Sequence, residues 1–136
     1  HCQCRRQRQM CIRDRDDGAC DFPRINDQLI GLKSEYGYCM QLKTDVEDLT
    51  FGEHLFKYHL ESGKRTDHHL GTNVAGGEPV FASKPEPSCE DEGWILSLVH
   101  ERDTRKSKLV IIEAQDFDQE PVAEILITQR VPYGAH

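Results

Sequence analysis

Histidine, cysteine and glutamate side chains carry most of the chemistry that this sequence could perform. The chain of 136 residues has seven histidines and six cysteines. Its last residue, His136, follows a turn that contains Pro132 and Gly134. On residue type and position alone, His136 is either a flexible chain end or one ligand of a metal site that needs further residues.

The first fifteen residues differ in composition from the rest of the chain. They contain five arginines against one aspartate, and they lack both the helical and the strand-like apolar period. Three interpretations compete: a small zinc site, a basic disordered arm, or the translation of a sequencing adapter, which residues 10–15 resemble. Zinc sites usually use paired CxxC knuckles, whereas one tight pair occurs among the candidate ligands His1, Cys2, Cys4 and Cys11. We therefore expect residues 1–15 to be non-native or disordered, and the domain to span residues 16–136.

The overall charge excludes several function classes. The formal net charge is −7, with 37% hydrophobic residues. This balance argues against nucleic-acid binding and against electrostatic attraction to an anionic membrane. No apolar run approaches the roughly 20 residues of a membrane-spanning helix, and no apolar segment typical of a signal peptide follows the basic N-terminus.

The elements that must position these side chains are predicted to be β-strands. Short apolar runs alternate with turn residues, and no segment shows a convincing helical stripe. Gly63 is expected to adopt a positive φ in a tight turn of a hairpin. The acidic residues 90–92 and the histidines His54, His59, His68 and His69 are interpreted as surface turn and strand residues. Strands are predicted at residues 36–42, 54–60, 65–70, 78–81, 94–100, 109–112 and 122–128.

Several motifs occur in an order that resembles the C-terminal part of the carotenoid cleavage oxygenase family. They are DFPRIN from Asp21, GEPVF from Gly77, EDEGWILSLV from Glu90, LVIIEAQDF from Leu109 and RVPYGAH ending at His136. That family includes carotenoid dioxygenases, stilbene-cleaving dioxygenases and the retinal pigment epithelium isomerohydrolase. The resemblance covers nearly all of residues 21–136.

The resemblance implies an all-β fold, the closing blades of a seven-bladed β-propeller whose axis holds Fe(II) on four histidines. His136 matches one of these metal ligands, and the other three lie outside this chain. Glu78 and Asp21 match carboxylates that support ligand imidazoles, although the family normally has glutamate at the position of Asp21. Ala135 departs from the family, which commonly has a larger apolar residue before the last histidine.

The implied activity of the full-length parent is dioxygenase cleavage of a conjugated C=C bond with O2, giving two carbonyl products. Carotenoids, apocarotenoids and stilbenes are the implied substrates, and a retinoid isomerase is the alternative within the family. A non-catalytic propeller that binds a partner is the alternative outside it. The resemblance implies a cytoplasmic or plastid location and leaves open peripheral membrane contact through regions outside this chain. This chain alone, with one candidate ligand, is expected to be inactive.

Overall fold

The computed structural model describes residues 19–43 and 50–132, which fold into nine β-strands. The one helix among these residues is a 3-10 turn at Asp27–Leu29. No helix in this part of the chain is therefore long and apolar enough to cross a membrane. The strands are β1 (Cys20–Arg24), β2 (Tyr36–Lys43), β3 (Thr50–His59), β4 (Arg65–His69), β5 (Val74–Ala75), β6 (Val80–Ser83), β7 (Gly93–Glu101), β8 (Ser107–Glu113) and β9 (Ala123–Ile127).

The strands form two antiparallel sheets, which confirms the all-β prediction. The first sheet has the order β1-β2-β3-β4. In the second sheet the order is β5-β7-β8-β9, and β6 also pairs with β7. Gly63 has a φ of 72° between β3 and β4, as the hairpin prediction requires. Strands β1 and β5 were not predicted from the sequence.

The main core lies between the two sheets. Strand β7 illustrates this arrangement, because its side chains alternate between the face that lies against the core and the outer face of the sheet. Ile95 and Val99 are fully buried, whereas Leu98 on the opposite face is 42% exposed. The core combines residues of both sheets and of the segment after β8: Tyr38, Met40, Leu55, Leu70, Val74, Phe81, Ile95, Val99, Val110, Ile112, Ala114 and Phe117.

A buried ion pair also connects the two sheets. Lys57 on β3 donates from Nζ to Asp91 Oδ2 at 2.8 Å and to the Ala114 carbonyl at 2.7 Å. The two charged side chains are only 10% and 11% exposed. Glu90 contributes as well, because its carboxylate accepts the backbone N–H groups of Glu35 and Tyr36. The interpretation of residues 90–92 as a solvated turn is therefore wrong for Glu90 and Asp91.

His68 is buried, so its interpretation as a surface residue is also wrong. It is 3% exposed and lies directly opposite Leu55, whose side chain faces the core. Its Nδ1 lies 2.7 Å from the Phe117 carbonyl oxygen. A carbonyl only accepts hydrogen bonds, so Nδ1 carries the proton. Nε2 is buried and has no hydrogen-bond partner in the described part of the chain.

Burial of His68 makes stability depend on pH. Desolvation lowers the pKa of His68 below its ordinary value, and the hydrogen bond to Phe117 opposes this shift only in part. The unfolded chain binds this proton more readily, so the contribution of His68 is fully present above a pH of about 6.5. It is lost as the pH falls from there through the lowered pKa of the folded state.

We expect His68→Asn to reduce this pH dependence. Asparagine can still donate an N–H group to Phe117 but does not titrate. The thermal midpoint of the full-length protein should fall less between pH 7.5 and pH 5 in the variant than in the wild type. Burial also lowers the pKa of His54. Because His54 is present in both proteins, its contribution to the pH dependence cancels in the comparison. Equal slopes in the two proteins would contradict the assignment to His68.

Candidate functional site

A mainly apolar cleft of about 390 Å³ lies beside the outer face of the second sheet. All five motifs singled out in the sequence contribute to its lining, among them the motifs of Phe22, of Glu78 and of the pair Val131 and Pro132. The other lining residues are Phe51, Gly77, Val80, Leu96, Ser97, Leu98, Val99, His100, Ser107 and Leu109. The cleft is therefore the place where residues distant in sequence converge around one carboxylate.

Glu78 is that carboxylate, and it is held by Arg24. Arg24 Nε donates to Glu78 Oε1 at 2.6 Å, and Arg24 Nη2 contacts the same oxygen. The Glu78 side chain is 25% exposed. Within residues 19–43 and 50–132, no hydrogen bond reaches the second oxygen, Oε2. Glu78 can therefore accept a further N–H group from a part of the protein outside the described residues.

The backbone before Glu78 is fixed against β7. The Ser97 hydroxyl donates to the Gly77 carbonyl at 3.0 Å and accepts the Gly77 N–H at 3.2 Å. A Cβ atom at Gly77 would lie 2.3 Å from the Leu98 carbonyl oxygen, so only glycine fits without a shift of the backbone. The backbone that carries Glu78 is thus anchored to β7, a central strand of the second sheet.

Asp21 does not line the cleft. Its side chain is exposed, and Oδ1 accepts the N–H of the next residue, Phe22, at 2.7 Å. Phe22 has a φ of 55°, and the register of β1 shifts between Asp21 and Arg24. This kink turns the Phe22 ring into the cleft, whereas Asp21 is not among its lining residues. A role of Asp21 in supporting a metal ligand stays a prediction.

The motif that ends at His136 enters the cleft with its first residues. The Val131 N–H donates to Ser107 Oγ at 2.9 Å, which fixes the chain on β8. Ala135 and His136 lie outside the described residues, as do residues 1–15 and their cysteines. The assignment of His136 as a metal ligand therefore stays a prediction.

The described residues fit a supporting role at a metal site but do not form its ligand set. No group of three or more His, Cys, Asp or Glu side chains that could hold a metal ion occurs among residues 19–43 and 50–132. Glu78 offers what a metal-bound imidazole needs, a carboxylate that accepts its second N–H group. His54 and His69 face each other across β3 and β4, and neither lines the cleft.

Two residues at the cleft were not singled out from the sequence. Arg24 belongs to the DFPRIN motif, but no sequence pattern indicated that it reaches Glu78, 54 positions away. His100 lines the cleft, and its Nδ1 is buried without a partner among the described residues. The apolar alternation of β7 gave no separate signal for this histidine.

Comparison with known proteins identifies the family. The family model described as retinal pigment epithelial membrane protein matches residues 3–136. Apocarotenoid-15,15'-oxygenase of Synechocystis is 31% identical over 117 residues, or 86% of this chain. Carotenoid 9,10(9',10')-cleavage dioxygenase 1 of Arabidopsis thaliana is 33% identical in an alignment of 131 positions that covers 87% of this chain.

Solved structures give the same result. A variant of Synechocystis apocarotenoid oxygenase superposes with a TM-score of 0.79 at 30% identity, covering 88% of this chain and 25% of that chain. The cobalt-substituted form of the same enzyme gives a TM-score of 0.77, covering 85% of this chain and 24% of that chain. The chain spans about a quarter of the length of these relatives, 24% and 23% for the two curated proteins. It belongs to the family of the retinal pigment epithelial membrane protein, whose members include the carotenoid cleavage oxygenases.

Proposed function

We propose that residues 16–136 are the C-terminal part of a longer enzyme, here called the parent, that cleaves carotenoids or apocarotenoids. The parent would be a non-haem Fe(II) dioxygenase that converts one conjugated C=C bond into two carbonyl groups. Its fold would be a seven-bladed β-propeller to which the two sheets contribute closing blades. The separation of residues 1–15 from the domain stays a prediction, and the family model matches the chain from residue 3 onwards.

One observation carries this proposal. The cleft joins Glu78 to Val131 and Pro132, the residues that lead towards His136. The carboxylate proposed to support a ligand and the residues that precede the proposed ligand thus line one cleft, although they are more than fifty positions apart. The names of the relatives supply the reaction class, since they act on carotenoids or apocarotenoids.

The roles of the chain's own residues follow from this geometry. His136 would bind the iron through one ring nitrogen, and Glu78 Oε2 would accept the N–H group of a ligand imidazole. Such a hydrogen bond fixes the ring orientation and makes the imidazole a stronger ligand. Bound Fe(II) would supply the activation of O2. Phe22, Leu98 and Leu109 would form apolar walls of the cleft beside Glu78.

The outer face of the second sheet supports the proposed position within a larger protein. Leu98, Val80 and Ile125 on this face are 42%, 46% and 52% exposed. In a propeller, such a face packs against a neighbouring blade. We further propose a location in the cytoplasm or in a plastid, and one relative of the chain is named as chloroplastic.

The proposal is tested by purifying the parent and measuring its iron content and its products. We expect about one iron per chain and carbonyl products that appear only with O2 and a polyene substrate. Supplying an apocarotenoid, a carotenoid and a stilbene separately identifies the substrate class. Residues 16–136 expressed alone should bind no stoichiometric iron, because a single imidazole ligand binds iron weakly. A folded parent that binds no iron and cleaves no polyene would instead support a non-catalytic binding module.

A further inference from the structure

We propose that Arg24 is a positioning residue: it locks the Glu78 carboxylate so that Oε2 points to a ligand imidazole of the iron site. This inference rests on the proposed function, because it assigns Glu78 to the support of a metal ligand. It adds a residue from β1 of the first sheet, whereas Glu78 lies between β5 and β6 of the second sheet. Arg24 would act through Glu78, without contact to the iron or the substrate.

The geometry of the contact shows how the lock works. Both Nε and Nη2 of Arg24 meet the same carboxylate oxygen, Oε1. Oε1 is therefore engaged twice, and rotation of the carboxylate would break both contacts. Since no hydrogen bond from the described residues reaches Oε2, the lock leaves one oxygen with its lone pairs available. A carboxylate of this kind presents a single acceptor in a single direction.

The backbone on both sides of Glu78 is restrained by its neighbours, so the remaining rotational freedom is that of the Glu78 side chain. Pro79 follows Glu78 and is fully buried, and a residue before proline is restricted to an extended backbone. Gly77 is anchored to Ser97 on the other side. The backbone is thus set at both ends, and the remaining freedom lies in the side-chain torsions that Arg24 restrains.

The ion pair between Arg24 and Glu78 is partly exposed, so Arg24 can position Glu78 without contributing much to stability. The Arg24 and Glu78 side chains are 41% and 25% exposed. Ion pairs of this exposure contribute little to stability, because water screens them and ordering two long side chains costs entropy. The loss of Arg24 should therefore leave the fold intact while it frees the Glu78 carboxylate to rotate.

Arginine is better suited to this task than lysine. The planar guanidinium offers several N–H groups in a fixed fork, whereas an ammonium group on a flexible stem acts as a point charge. Arg24 itself is held by β1, where it pairs with Tyr38 directly after the register shift. We therefore expect Arg24→Lys to retain only part of the positioning effect.

The test measures how fast the iron-loaded parent loses its metal to an excess of a strong chelator. Arg24→Met should lose iron about 10- to 100-fold faster than the wild type, the range typical for the loss of a partner behind a metal ligand. Glu78→Gln should behave similarly, and the double variant should be no faster than the faster single variant, because both act through one contact. The visible spectrum of the cobalt-loaded parent should shift in the same variants.

Lys84→Met is the matched control. Lys84 forms an ion pair with Glu113 at 2.6 Å, with side chains 30% and 19% exposed, and neither residue lines the cleft. This control should lose iron at the wild-type rate. If Arg24→Met did not fold, Arg24→Lys would carry the test, with a smaller but measurable acceleration.

The outcomes separate this inference from the proposed function. A wild-type parent without iron overturns the proposed function and this inference with it. A wild-type parent with iron, together with Arg24→Met and Arg24→Lys releasing it at the wild-type rate, overturns the positioning role alone. Multiplicative effects of Arg24→Met and Glu78→Gln in the double variant would also overturn it.

Discussion

Replacing Lys57 by methionine is expected to destabilise the contact between the two sheets by about 3–5 kcal/mol. The methionine side chain fills much of the same space, so the loss comes mainly from charge. Asp91 would keep its carboxylate in a largely buried site, with only the long hydrogen bond from Gln115 Nε2 at 3.4 Å to replace the ammonium group. The Ala114 carbonyl would lose its partner as well.

Hydrogen–deuterium exchange of the full-length protein measures this effect locally. Peptides from β3 and from the segment after β8 should exchange about a hundredfold faster or more in Lys57→Met. Lys84→Met removes a partly exposed ion pair and should change exchange only slightly. The double variant Lys57→Met with Asp91→Leu should regain much of the protection, because no charge remains buried. Wild-type exchange in the single variant would show that the pair contributes nothing.

Replacing His136 by alanine is expected to abolish iron binding and polyene cleavage in the parent. If four imidazoles hold the metal, the loss of one removes a direct bond to it, a larger change than the loss of a supporting carboxylate. Iron content after purification and product formation with an apocarotenoid measure the two consequences. Glu78→Gln should retain more iron and form more product than His136→Ala.

His59→Ala is the matched histidine control for this experiment. His59 ends β3, and its Nδ1 lies 2.7 Å from Ser62 Oγ on an exposed turn, away from the cleft. This variant should retain its iron and its activity. Ala135→Phe restores the larger side chain typical of the family and should slow iron release if that side chain packs behind the ligand. Full iron content in His136→Ala would contradict the ligand assignment.

Sequence reasoning found the strands whose apolar alternation is strong. The prediction at residues 94–100 corresponds to β7, because a short, mostly apolar run that includes Ile95, Leu96 and Val99 is typical of a buried strand. Strand β3 begins at Thr50, four residues before the prediction, where Gly52 and Glu53 interrupt the pattern. Strand β1 was missed because Pro23 and the kink at Phe22 are unusual within a strand.

Sequence patterns did not predict the long-range polar contacts. Lys57 lies two positions after Leu55 on the same face of β3, but the strand period alone does not reveal that this face is buried at a lysine. The acidic partner Asp91 lies in a loop, where a carboxylate is usually solvated, so only the packed structure shows the pair. Arg24 and Glu78 were each within a motif, yet their contact depends on how two sheets are placed.

The nearest-neighbour order of the strands has a consequence for protein synthesis. In the first sheet, every strand pairs with the one made just before or after it, and the same holds from β6 to β9. Pairings of this kind close short loops and therefore form quickly. The first sheet can assemble on the ribosome as soon as β4 has emerged, while Asp91 is still inside the exit tunnel. Until the second sheet forms, the inner face of the first sheet would stay exposed and Lys57 would lack Asp91. We therefore expect the nascent chain to need a chaperone most during this interval.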